Sequence, residues 1–85
     1  MKPLIDIARE KADMIPLGST VTYNQISHTL NSIPEKHRLS FGLYYVEYIR
    51  QREDLKMSPE DEAEFIDLKY RLIDEFIYRR SHGRV

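Results

Sequence analysis

The chain has 85 residues and a mass of 10.2 kDa, which suits one small domain of marginal stability. Hydrophobic residues make up 41% and charged residues 32%, a balance typical of a globular protein. The sequence contains no cysteine, which excludes disulfides, thiolate zinc sites and a cysteine nucleophile. No apolar run is long enough to cross a membrane, and no apolar leader precedes Asp6, so we expect a cytoplasmic location without a membrane partner.

The net charge of −1 is distributed unevenly along the chain. Residues 1–52 carry +2, residues 53–67 carry −6 and residues 68–85 carry +3. Such a small net charge gives no overall attraction to nucleic acid, although a local patch could still bind it. The acidic segment 53–67 is best explained by the start of a helix, whose positive dipole end favours acids. An acidic surface that competes with nucleic acid for a basic protein is the alternative.

The N-terminal half predicts two helices joined by an extended piece. Apolar residues over 4–15 recur at helical spacing, and the Pro-x-Gly that follows predicts the end of this helix. After Ser19, residues 20–23 are β-branched or aromatic, which predicts a short extended piece over 19–23. Thr22 and Gln25 have the spacing of a capping box, so a short helix should begin there and end near Asn31.

The C-terminal half predicts two longer helices. Ser32 and Glu35 repeat the capping pattern, and a helix is expected over about 34–53. The strongest start signal is Ser58, followed by a first-turn proline and three acids, which predicts a helix from there to residue 79 or 80. Residues 81–85 are expected to form a frayed tail.

These elements predict a mainly α, single domain over residues 1–85, with about four helices and at most a short β segment. Its N-terminal half should form a helix-turn-helix. The two long helices are expected to pack antiparallel through six apolar residues: Leu39, Leu43, Val46, Phe65, Leu72 and Phe76. The apolar arc of the last helix spans about half its circumference, which favours contact with two neighbours or with a second chain.

An aromatic face lies beside the aliphatic stripe of the 34–53 helix. With the arginines that follow, it predicts a protein interface at Phe41, Tyr44, Tyr45, Tyr48, Arg50 and Arg52. The same aromatic residues could instead belong to the core, or could form a stacking platform for nucleic-acid bases.

No catalytic pattern stands out in the sequence. The three histidines have neither metal-site spacing nor an acid placed to orient them, and no phosphate-binding glycine loop is present. The consecutive acids at 60–62 point around a helix rather than converging on one point. We therefore expect a non-enzymatic protein without a cofactor or a metal site.

Four residues from the end of the first predicted helix into the second, Pro16, Gly18, Tyr23 and Ile26, have the spacing of a known DNA-binding segment. With the later step from Pro34 to Arg38, residues 7–43 resemble the winged-helix DNA-binding part of the O6-alkylguanine-DNA alkyltransferases and alkyltransferase-like proteins. The resemblance implies a winged-helix-like arrangement of the N-terminal half. It also implies that Tyr23 contacts the backbone near an extruded base and that Arg38 fills the vacated stack. The family's proline-cysteine-histidine-arginine motif has no counterpart here, so alkyl transfer is not implied.

Two functional hypotheses follow from the sequence. The first is a small regulatory protein, by analogy like those that phages make, that inhibits or modulates a larger complex by binding a protein or a second copy of itself. The alternative is a helix-turn-helix protein that contacts duplex DNA through the 34–53 helix. Its candidate contacts are Tyr23, Asn24, Gln25, Lys36, His37 and Arg38.

Overall fold

The computed structural model describes residues 2–82 and contains four helices in that range. They are α1 (Leu4–Asp13), α2 (Tyr23–Asn31), α3 (Glu35–Gln51) and α4 (Pro59–Ser81). The mainly α fold of four helices is confirmed, with every helix end within about two residues of its predicted position. Ser81 is the last residue of α4, and residues 83–85 of the predicted frayed tail lie outside the described residues.

Two of the three predicted start signals form as expected. The Thr22 hydroxyl accepts a hydrogen bond from the Gln25 backbone, and the Gln25 side chain accepts one from the Thr22 backbone, which completes the capping box of α2. The Ser58 hydroxyl accepts from the Asp61 backbone at the start of α4. The predicted role of Ser32 in capping α3 is wrong, because its hydroxyl donates back to a carbonyl at the end of α2.

The predicted extended piece forms one parallel bridge, between Thr20 and Lys56. The Val21 backbone N–H donates to the Lys56 carbonyl at 2.7 Å, and the Lys56 N–H donates to the Ser19 carbonyl at 2.9 Å. Residues 2–82 contain no longer strand. The bridge ties the α1–α2 connection to the α3–α4 connection and so fixes where α4 begins.

Helix α3 lies at the centre of the domain and packs on each of the other three helices, most extensively on α1. The buried core is Ala8, Ala12, Val21, Ile26, Leu30, Ile33, Phe41, Tyr45, Val46, Ile49, Phe65 and Leu68. Of the six residues predicted to join the two long helices, Val46 and Phe65 are buried and the other four are half-buried. The predicted α3–α4 pairing is therefore one part of the core, since α1 covers another side of α3.

Gly42 marks a close approach between α3 and α4. A Cβ atom at this position would lie 3.2 Å from a terminal methyl group of Leu72 and 3.4 Å from one of Leu30. The missing side chain therefore lets α2, α3 and α4 meet at one level of the domain.

Within residues 2–82, none of the helices is both long and apolar enough to cross a membrane.

Candidate interaction surface

Helix α4 carries two apolar stripes, and they have different environments. Its inner stripe, Phe65, Leu68 and Leu72, packs on the core. We call the second set the outer stripe: Ile66, Tyr70, Ile73 and Ile77. Ile66 is 45% exposed, Tyr70 59% and Ile77 54%, and Ile73 is half-buried. Three large apolar side chains on one face of a helix are thus in contact with water.

Two shallow grooves run between α3 and α4, next to the outer stripe. The first encloses about 420 Å³ and has Ile49, Leu55, Met57, Phe65, Ile66 and Tyr70 among its lining residues. The second encloses about 300 Å³ and is lined mainly by Leu43, Tyr44, Val46, Leu72 and Ile73. Lys69 and residues of the outer stripe border both grooves. The grooves and the outer stripe therefore form one largely apolar surface with Lys69 near its middle. Its other charged lining residues are Glu47, Arg50, Arg52 and Glu62.

Helical spacing explains why α4 has both stripes. The outer stripe occurs at intervals of four, three and four residues, which keeps its side chains on one face of a helix. The inner stripe is offset by about a third of a turn, so α3 can cover it without covering the outer stripe. Tyr70, the most exposed residue of the stripe, is not among the residues that the sequence predicts to form an interface. The four-three-four spacing is the signal that would have identified it.

The predicted aromatic interface on α3 is wrong for Phe41 and Tyr45. Phe41 is 0% exposed and Tyr45 is 3% exposed, and their rings stack with centroids 5.4 Å apart. Burial also raises the pKa of Tyr45. Both rings are buried because α1 and α2 cover the sides of α3 that α4 leaves free. Neither ring can serve as a surface anchor in this fold.

The other two aromatic residues of that predicted face have separate environments. Tyr44 is 41% exposed and borders the second groove, so it belongs to the apolar surface beside α4. Tyr48 is half-buried and its hydroxyl accepts a hydrogen bond from the Arg9 guanidinium at 3.2 Å. The same guanidinium lies 5.4 Å from the centre of the Tyr48 ring. Tyr48 therefore helps to join α1 to α3.

The predicted interface residue Arg52 lines the first groove, but its polar contacts lie within the domain. Its side chain is 15% exposed and forms a two-point ion pair with Asp54, at 2.6 and 2.8 Å. The same guanidinium donates to the carbonyls of Ala12 and Ile15, at 2.9 and 3.0 Å. These bonds fasten the end of α1 to the α3–α4 connection. Arg50, in contrast, is exposed and pairs with Glu47.

Asp54 completes this cluster on the side of the α1–α2 turn. Its second carboxylate oxygen accepts from the Gly18 backbone N–H at 2.9 Å. Gly18 has a φ of +72°, in the left-handed region that favours glycine. The hydrogen bonds from Arg52, and then that from Gly18, hold the pKa of Asp54 well below its usual range. The carboxylate thus stays charged where the two connections meet.

Three of the residues predicted to contact DNA have side chains bonded within the domain. Arg38 donates to the carbonyls of Leu30 and Ile33, at 3.1 and 3.0 Å, and so caps the end of α2. The Tyr23 hydroxyl accepts from Arg71 of α4 at 3.1 Å. Gln25 belongs to the capping box of α2. These hydrogen bonds explain the presence of the three residues by their role in the fold, although the same residues also fit the DNA-binding pattern.

The other three predicted DNA contacts lie at the surface. Asn24 is exposed in the first turn of α2, and Lys36 and His37 are exposed in the first turns of α3. A three-residue connection separates the two helices. The short helix, brief turn and basic start of the next helix therefore occur in the predicted order.

The acids at the start of α4 do not converge on a common point. Asp61 accepts from the Tyr23 backbone N–H at 3.1 Å and from the Ser58 hydroxyl at 2.8 Å, so it links the starts of α2 and α4. Asp67 pairs with Arg71 one turn later. Within residues 2–82, no three histidine or acidic side chains are placed to hold a metal ion. Helix-start electrostatics accounts for these acids.

Comparison with known proteins assigns no family to the chain. No protein-family model, no curated protein and no solved structure matches it. Its function is therefore inferred from the side chains that the domain exposes at its surface.

Proposed function

We propose that this chain is a small, non-enzymatic regulatory protein that acts by binding another protein chain through the outer stripe of α4 and the adjacent grooves. The observation that carries the proposal is the exposure of Ile66, Tyr70 and Ile77 along one helical face. Contiguous exposed apolar patches mark interaction sites, and aromatic residues are favoured anchors in them. A cytoplasmic location and a role in modulating a larger complex belong to the same proposal.

The shape of the surface supports a helical or extended partner. The outer stripe runs along α4, and the two grooves follow it beside α3. Amphipathic helices bind one another through apolar residues at this four-three-four spacing. Tyr44 extends the surface onto α3, so a bound segment would touch both long helices.

Photo-cross-linking in cells that express the protein tests this proposal. A benzophenone side chain at Tyr70 should give protein adducts, because Tyr70 is 59% exposed in the middle of the surface. The same group at Leu17, which is 87% exposed on the α1–α2 turn, is the matched control and should give few adducts. Adducts that are absent from Tyr70, or equally frequent at Leu17, would refute the proposed surface.

A second candidate function is binding of duplex DNA by α2 and α3. The observation that favours it is the basic start of α3, where Lys36 and His37 are both exposed directly after the short turn. The resemblance of residues 7–43 to the alkyltransferase DNA-binding segment points the same way. The small net charge and the acidic start of α4 count against it.

We expect that Lys36→Ala, if DNA is bound, weakens binding to all duplex sequences and reduces the slope of log affinity against log salt by about one. Arg38 is a poor choice for this test because its substitution would also uncap α2. Lys11→Ala, which removes the same charge from α1, is the control and should leave the slope unchanged. Titration of a fluorescent duplex across salt concentrations gives the slope, and no binding at low salt would eliminate this candidate.

A further inference from the structure

The outer stripe has the spacing of a coiled-coil seam. Intervals of four, three and four residues repeat every seven residues, and the preceding seam position, Ala63, is also apolar. Helix α4 has 23 residues, which is about 34 Å of helix. One further helix of similar length could therefore cover the whole stripe.

The charges of α4 indicate which helix fits. Residues 59–69 contain five acids and one lysine, a net charge of −4, whereas residues 70–82 contain three arginines and two acids, a net charge of +1. A parallel copy of α4 would place the two −4 segments side by side. An antiparallel copy places each −4 segment beside a +1 segment and also opposes the two helix dipoles.

We propose that the outer stripe binds the outer stripe of a second copy of this chain, with the two α4 helices antiparallel about a twofold axis between Tyr70 and Ile73. This inference rests on the proposed function and names the partner of that surface. The twofold axis pairs Ile66 with Ile77 of the other copy, and Tyr70 with Ile73. The stripe is thus complementary to itself, as an isologous interface requires.

The same twofold rotation brings oppositely charged residues together at the edge of the seam. On a helical wheel, Glu62 and Arg80 lie on the same side of the outer stripe, near its two ends. In the antiparallel dimer, Glu62 of each copy lies near Arg80 of the other, so this ion pair forms twice. A parallel dimer would instead place the two Glu62 residues at the same end of the seam, with no Arg80 near either of them.

Charge reversal tests this arrangement. We expect Glu62→Arg to weaken self-association about 10-fold, because two attractive pairs become repulsive, and Arg80→Glu to do the same. An equal mixture of the two variants should restore association, since each remaining contact then joins opposite charges. Sedimentation velocity at micromolar concentrations measures the dimer fraction. Glu60→Arg, a charge reversal in the same first turn but away from the seam, is the matched control and should dimerise as the parent does.

Other outcomes would overturn the proposal in distinguishable ways. A parent chain that stays monomeric, or a mixture that fails to regain the parent's dimer fraction, would overturn the antiparallel dimer. In that case a Tyr70 cross-link to a different protein would still support the proposed function, whereas an adduct of twice 10.2 kDa is what the dimer requires. Ile77→Asp should give a monomer of unchanged helix content. Met14→Asp, at a site that is 76% exposed on another surface, is the control and should still dimerise.

Discussion

Phe41→Ala is expected to lower the free energy of unfolding by about 3–5 kcal/mol, the range found when a buried aromatic side chain is removed. Phe41 is 0% exposed and stacks on Tyr45, so its loss leaves a cavity at the centre of the domain. A domain of this size has a total stability of roughly 4–13 kcal/mol, so the variant should be close to unfolding. Urea denaturation followed by circular dichroism measures the change.

Tyr78→Ala is the matched control for Phe41. Tyr78 is 58% exposed and lies outside the outer stripe, so its loss should change stability by less than about 1 kcal/mol. Equal effects of the two substitutions would contradict the placement of Phe41 in the core. They would also reopen the interpretation of α3 as carrying an exposed aromatic face.

Arg52→Ala is expected to lower the Tm by about 10 °C, because it removes hydrogen bonds that join three parts of the chain. The carbonyls of Ala12 and Ile15 lose their donor, and Asp54 loses its cation. Arg50→Ala removes the same charge two residues earlier, where only the exposed pair with Glu47 is lost, and should change the Tm by less than about 2 °C. Thermal unfolding of both variants measures the difference, and similar Tm values would contradict the role of Arg52 in fastening α1 to the α3–α4 connection.

The effect of Arg52→Ala should also depend on pH. The lowered pKa of Asp54 means that its carboxylate stabilises the folded state above the ordinary value of about 3.9, and that this stabilisation is lost as the pH falls below it. The Tm difference between the parent and Arg52→Ala should therefore be full at pH 7 and shrink between about pH 5 and pH 2. A difference that stays constant over this range would indicate that Arg52 acts through the backbone carbonyls alone.

The two arginines near the end of α3 illustrate the limit of the sequence. Arg50 and Arg52 both lie within four residues of Tyr48 and look equivalent along the chain, yet Arg52 turns toward the end of α1, 40 residues earlier. Arg38 likewise turns back to cap α2. A long cationic side chain has several possible partners, and only the packed chain decides which carbonyls lie within its reach.

The sequence by itself determined the four helices and where they begin and end. Local signals are sufficient for this, since the capping box at Thr22, the Ser58-Pro59 start of α4 and the Pro-x-Gly after α1 act within a few residues. Tertiary structure decided which apolar face each helix buries. Because α1 and α2 cover α3, Phe41 and Tyr45 became core, and because nothing in residues 2–82 covers the far side of α4, Tyr70 and Ile77 remained exposed. Periodicity shows that a helix has an apolar face, whereas the neighbours that cover that face depend on contacts between distant parts of the chain.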